Sequence, residues 1–185
     1  MNSKIRIYNK KEKGFTLIEL LLYVVLSAII GLVLVSFFTQ TIKVVETSRR
    51  SRESLDNARR ALDLISLEIR NAKSFYSPTS VLSPSNPGQL SLETTRNLPA
   101  DEDNTYVDFY VDDGGLYVKR EGQASQLITA QKLKVTNLVF TLLNNTGGQP
   151  AIKTDITVQY RDPIFGTANP VSLSTTTSLR SYSED

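Results

Sequence analysis

Between Phe15 and Phe38 the chain is apolar almost without interruption, and from Thr39 onward apolar residues thin to every third or fourth position. The first stretch holds 24 residues, about 36 Å of α-helix, enough to cross a ~30 Å hydrocarbon layer with some tilt. Thr16, Tyr23, Ser27, Gly31 and Ser36 interrupt it mildly, and Glu19 is its only charge. In the second stretch small or apolar residues fall at Val44, Ser48, Ser51, Leu55, Ala58, Leu62, Ile65, Ile69, Ala72 and Tyr76. Steps alternating between four and three trace one helix face. No proline or glycine occurs from residue 32 to 76. The spacing therefore predicts one helix from about Thr16 to Phe75, membrane-embedded over 15–38 and amphipathic over 39–76. A coiled coil is the rival reading of the stripe, and strands further on that need a covering layer favour packing on a sheet.

Ser77 to Pro87 contains three prolines and reads as loop. The pattern then changes to period two. Val107, Phe109 and Val111 alternate with Tyr106, Asp108 and Tyr110, and Asp112-Asp113-Gly114-Gly115 turns the chain into Leu116–Arg120, a hairpin signal. Leu138, Phe140 and Leu142 share a face of the next strand. Ile152, Thr154, Ile156, Val158 and Tyr160 share a face of another, and a last strand is expected from Val171 to Arg180. Short turns between strands imply an antiparallel sheet over residues 77–185, half buried under the helix. The expected fold class is α+β.

Charge is distributed unevenly. Residues 1–14 hold five basic side chains against one acidic, residues 43–73 eight against five, and residues 74–185 eight against twelve. The body has no basic field to attract nucleic acid, so no nucleic-acid partner is expected. On the helix, Glu46–Arg50, Asp56–Arg60 and Glu53 with Arg49 or Asn57 stand at neighbour spacing, the pattern of a solvated surface.

The chain has no cysteine and no histidine. Disulfides, thiol catalysis and the commonest zinc sites are excluded, and a serine hydrolase would lack its base. Gly114-Gly115 and Gly147-Gly148 fall in turns, so no phosphate-cradling loop exists. Asp101-Glu102-Asp103 and Asp108, Asp112 and Asp113 offer the hard oxygen ligands that calcium takes, without a twelve-residue calcium-loop pattern. Solvated loop charge is the plainer reading. No metal, cofactor or enzymatic activity is expected. Tyr106, Tyr110 and Tyr117 are either packing at a sheet edge or a partner-binding surface.

The junction Lys11-Glu12-Lys13-Gly14-Phe15-Thr16-Leu17-Ile18-Glu19 joins the basic leader to the apolar helix. A charged residue in a membrane-length segment costs roughly 2.5–3.5 kcal/mol at mid-membrane, less near an end, so Glu19 calls for a partner. A secretory signal peptide would have a shorter apolar region and a small-residue cleavage site beyond it, whereas here the glycine precedes the run. A signal anchor is the other generic reading. The segment resembles the processing site of type IV prepilins and type II secretion pseudopilins, matching Gly14-Phe15-Thr16-Leu17-Ile18-Glu19 at every position. The resemblance is close over residues 1–40 and looser beyond.

That resemblance implies a type IV pilin-like fold, with the long helix packed on the antiparallel sheet. It implies that a membrane prepilin peptidase removes residues 1–14 between Gly14 and Phe15 and methylates the new amine of Phe15. Glu19 would be the filament-assembly carboxylate, paired with a neighbour's methylated amine. The implied partners are the peptidase, other major and minor pilins or pseudopilins, the inner-membrane assembly platform and membrane lipid. The implied location is a single pass through the cytoplasmic membrane, leader in the cytoplasm and sheet domain outside, followed by the pilus or pseudopilus. Charge flanking the helix gives the same orientation weakly. The chain lacks the cysteines of the disulfide-closed loop found in many major pilins and has no proline near Ser36. Both departures fit a minor subunit better than a major one, and the resemblance implies a place for a minor subunit in a tip or initiation complex. The alternatives are a filament-borne adhesin or DNA-uptake subunit, and a membrane-tethered domain that never polymerises.

Overall fold

The computed structural model describes residues 14–96, 98, 102–143, 149–162 and 169–179. Leader residues 1–13, Asp101, Gly147-Gly148 and Arg180 lie outside the described residues. The chain divides into two compact units, Met1–Val44 and Val45–Asp185.

Helix α1 runs without a break over Leu17–Asn71. It ends four residues before the predicted Phe75. Ala72 N–H closes a tight last turn on the Ile69 carbonyl at 3.2 Å, and Lys73 N–H then donates to the Glu93 carbonyl at 2.8 Å. The main chain thus passes from helix to sheet pairing, and Ser74–Phe75 becomes strand β1.

The second unit carries β2 (Leu90–Thr94), β3 (Thr105–Asp112), β4 (Gly115–Arg120), β5 (Gln126–Leu127), β6 (Leu133–Leu143), β7 (Ala151–Tyr160) and β8 (Val171–Ser178). These form two sheets rather than the single one expected, in the orders β1-β2-β3-β4-β5 and β6-β7-β8. Every pairing is antiparallel. The ladder stops after β5 because side chains take over its hydrogen bonds. Thr129 Oγ1 accepts the Leu116 N–H at 3.2 Å, and Asn57 Oδ1 accepts the Ala130 N–H at 3.2 Å. Val135 N–H reaches the Gly114 carbonyl at 2.8 Å, joining the start of β6 to the β3–β4 turn.

One core forms between helix and sheets. Ala58, Ala61, Leu62, Ile65 and Ile69 of α1 meet Leu92 and Phe109 of the first sheet and Leu138, Phe140 and Ile156 of the second, all at most 7% exposed. The buried helix face is broader than the predicted stripe. Ser54 and Asn57 belong to it, whereas Val44 (60% exposed) and Tyr76 (37% exposed) do not. Because this stripe covers the chain's own sheets, the coiled-coil reading is set aside. Period-two burial holds in β3 and β7 as predicted. The β3–β4 turn has φ of 42° at Asp113 and 69° at Gly114, the double positive-φ geometry that matches strand twist in a two-residue hairpin. In β6 a bulge between Val135 and Asn137 shifts the register. It lets Val135 and Leu138, of opposite parity, both face the core.

Candidate functional site

The first unit presents the junction with little around it. Gly14 and Phe15 precede the helix and are exposed, Phe15 to 74%. Among the described residues, a side chain placed on Gly14 would meet nothing within 4 Å. Thr16 is the N-cap: its Oγ1 accepts the Glu19 N–H at 3.3 Å and its carbonyl accepts the Leu20 N–H at 3.2 Å. Thr16-Leu17-Ile18-Glu19 has the S/T-x-x-E form of a capping box, a signal that the motif reading passed over. The cap starts α1 two residues after Phe15 and sets Glu19 in its first turn, where a negative charge is favoured by the helix dipole.

Glu19 lies about 6 Å along the axis from Phe15. Phe15, Glu19, Tyr23, Ser27 and Gly31 repeat at intervals of four and so share one ridge of the helix. The Phe15 and Tyr23 rings meet edge to face at 6.2 Å. Around this ridge the helix is apolar on all sides, and Leu17, Ile18, Leu32, Phe37 and Ile42 are more than 60% exposed. A helix apolar all round is stable in lipid or among other helices, not in water. α1 is long and apolar enough to cross a membrane.

In the second unit the polar cluster of greatest order joins α1 to the second sheet. Glu53, expected as solvated charge beside Arg49 or Asn57, instead turns to Lys132 Nζ at 2.5 Å and accepts a hydrogen bond from the Tyr160 hydroxyl. The Lys132 bond and then the Tyr160 bond hold the Glu53 carboxyl below its ordinary range. Burial, and then Glu53, push the Tyr160 phenol up. Arg50 lies over the Tyr160 ring at 4.5 Å, pairs with Glu46 at 3.0 Å as predicted, and donates to the Asp162 carbonyl at 2.8 Å. The expected Asp56–Arg60 pair is replaced by a bond from Arg60 to the Asp56 carbonyl at 3.4 Å. This cluster fastens helix to sheet.

The candidate tyrosines separate into two pairs. Tyr110 stacks on Tyr117 at 5.7 Å and donates to Ser125 Oγ at 2.8 Å, while Tyr106 packs on Tyr76 at 5.0 Å. Burial raises the Tyr106 phenol, and Glu93 adds to the shift. Of the acidic clusters, Asp113 faces Arg161 at 3.4 Å. Among the described residues no group of three His, Cys, Asp or Glu side chains is placed to hold a metal ion.

The family model described as the prokaryotic N-terminal methylation motif matches residues 9–35. Comparison with curated proteins gave no match, and comparison with solved structures gave none. The matched residues span the leader end, Gly14, the capped helix start and Glu19. The chain thus carries the prepilin signature of type IV pilins and pseudopilins at the head of a pilin-like α+β fold.

Proposed function

We propose that this chain is a minor pilin or pseudopilin. Prepilin peptidase cuts it between Gly14 and Phe15 and methylates the Phe15 amine. The mature chain then enters a type IV pilus or a type II secretion pseudopilus, in its tip or initiation complex. It works by packing, not catalysis. The observation that carries this reading is the exposed Gly14–Phe15 junction directly before a capped helix start, in an apolar stretch over 15–38 whose one charge is Glu19.

In the membrane the Glu19 carboxylate lies near enough to the interface to keep some water. Packed among other helices it loses that water, and a cationic partner becomes valuable. The methylated Phe15 amine of a neighbouring subunit supplies one. The ridge through Ser27 and Gly31 lets backbones approach closely along the same flank. Head-to-tail contacts of this kind do not close and so build a filament. The second unit is then displayed on the outer side of the cytoplasmic membrane. Mass spectrometry of the protein isolated from its native membrane tests the reading. A mature N-terminus at N-methylated Phe15 is expected, and a functional protein retaining residues 1–14 overturns it.

A further inference from the structure

In sequence the segment past the apolar stretch mixes its charges: Lys43, Arg49, Arg50 and Arg52 stand against Glu46 and Glu53. The fold separates them. Glu46 pairs with Arg50 at 3.0 Å, and Glu53 is taken up by Lys132 at 2.5 Å and by the Tyr160 hydroxyl. Arg50 is itself held over the Tyr160 ring and on the Asp162 carbonyl. Both carboxylates of the segment are thereby engaged, while Arg49 and Arg52 stay exposed. Among the described residues neither of these two forms an ion pair or a hydrogen bond. Of the groups acting on the Glu53 carboxyl, Arg49 is the weakest.

The two guanidiniums follow directly on exposed apolar surface. Ile42, Val44 and Val45 are each at least 60% exposed. Val45, Arg49 and Arg52 stand at i, i+4 and i+7 and so share one flank of α1. Further along that flank the sign alternates through Asp56 and Arg59, so the uncompensated charge is confined to the two turns after Val45. Apolar surface first and cations next is the order of depth at a membrane surface, where acyl chains give way to phosphates. The lengths agree with it. Phe15 to Val45 is 31 residues, about 46 Å of helix, against about 40–45 Å for a bilayer with both headgroup layers. With Phe15 at one boundary, Val45 meets the other, Arg49 lies about 6 Å above it and Arg52 about 10 Å. Side chains on a helix lean toward its N-terminus, which here is toward the membrane.

We propose that Arg49 and Arg52 bind the phosphates of anionic phospholipids at the membrane surface on the side of the second unit. The planar guanidinium forks onto phosphate oxygens, and a zwitterionic headgroup brings an ammonium of its own, so the site favours lipids of net negative charge. An acidic protein would meet the same charge but leave the exposed Val45 beside it without an apolar neighbour. The proposal rests on the membrane placement of α1 in the reading above, and not on the cut, the methylation or filament assembly.

The absence of cysteine allows one fluorophore to be placed at Ser48→Cys, an exposed position between Val45 and Arg49. The full chain is reconstituted in phosphatidylcholine vesicles doped with a nitroxide lipid, either phosphatidylglycerol or phosphatidylcholine, labelled near the head of one acyl chain. Quenching at least twofold greater by the phosphatidylglycerol is expected, with the excess lost in about 1 M salt, where screening acts within about 3 Å. The basic leader lies at the other end of the span and so does not quench this probe. Arg49→Gln with Arg52→Gln should remove most of the excess with circular dichroism unchanged, and Arg59→Gln should keep it. The comparison of lipids and salts needs no arginine variant, so it stands even where the double variant fails to fold. Equal quenching by the two lipids, an excess indifferent to salt, or one that survives in the folded double variant overturns the proposal. Benzophenone at the same cysteine that captures protein and no phospholipid in native membranes overturns it as well. Release of the chain from vesicles by alkaline carbonate refutes the membrane placement and the proposal with it, whereas a retained chain with equal quenching refutes the proposal alone.

Discussion

Asn57 is the side chain on which the connection between the two sheets turns. It is 4% exposed, its Oδ1 accepts the Ala130 N–H at 3.2 Å, and its Nδ2 donates to the Glu53 carbonyl at 2.9 Å. Asn57→Leu keeps most of the volume, so the cavity contribution is small, and the acceptor for Ala130 is lost. Leaving a buried donor unpaired costs about 1–3 kcal/mol. Ala130 is half-buried, so water satisfies part of the loss and the expected cost is about 1–2 kcal/mol. For a domain of this size that lowers Tm by about 2–8 °C. The measurement is thermal unfolding of the full chain in detergent, followed by the sheet signal in circular dichroism, together with hydrogen exchange at the Ala130 amide. Exchange there should quicken more than at neighbouring core amides. Asn57→Ala adds a void and should lose more than Asn57→Leu. A change under about 0.5 kcal/mol with Ala130 exchange unaltered would refute the reasoning.

Acid stability should depend on Glu53. Its folded value lies below the ordinary 4.5, through Lys132 first and Tyr160 next, so its contribution is complete above the unfolded value and is lost as pH falls through the folded one. Urea midpoints stepped down from neutral pH should fall less steeply in Glu53→Gln, and parallel acid limbs in the two proteins would contradict this. Gly88→Ala places a Cβ 3.0 Å from the Val81 carbonyl oxygen and 3.2 Å from that of Leu138. Main-chain atoms yield little, so a loss of about 1–3 kcal/mol is expected in the same unfolding assay. Glu19→Ala should leave membrane insertion intact, read by fractionation, and reduce recovery of the chain in sheared filaments at least tenfold. Equal recovery would count against the assembly role.

Much of the fold is legible along the chain because period and punctuation agree there. Asp113-Gly114 between two alternating runs leaves little choice but a hairpin, and Ile152 to Val158 can bury one face in one way only. The β2 strand at Leu90–Thr94 was available in the alternation of Leu90, Ser91, Leu92 and Glu93, yet it is short and follows a loop, so its signal is easily absorbed into that loop. The division into two sheets was not legible. It depends on Thr129 and Asn57 capturing main-chain N–H groups across 13 and 73 residues, and no local pattern reports a contact at that separation. The same holds for Glu53. Its helical neighbours gave it plausible partners at short spacing, while Lys132 and Tyr160, distant in sequence, offer a less hydrated place for its charge. The candidate site is the opposite case. Gly14, Phe15, Thr16 and Glu19 are contiguous, so their chemistry is written locally, and the geometry added the Thr16 hydroxyl as the cap.

That hydroxyl bears on what the proposed proteolysis would do to the molecule. Among the described residues, every backbone bond that starts α1 originates at Thr16 or later, so the proposed cut ahead of Phe15 would remove none of these bonds. Trimming at the proposed site would therefore edit the electrostatics of one terminus, replacing a basic cluster of lysines and Arg6 with a single ammonium. On the proposed function, the capped helix start is then the same before and after maturation.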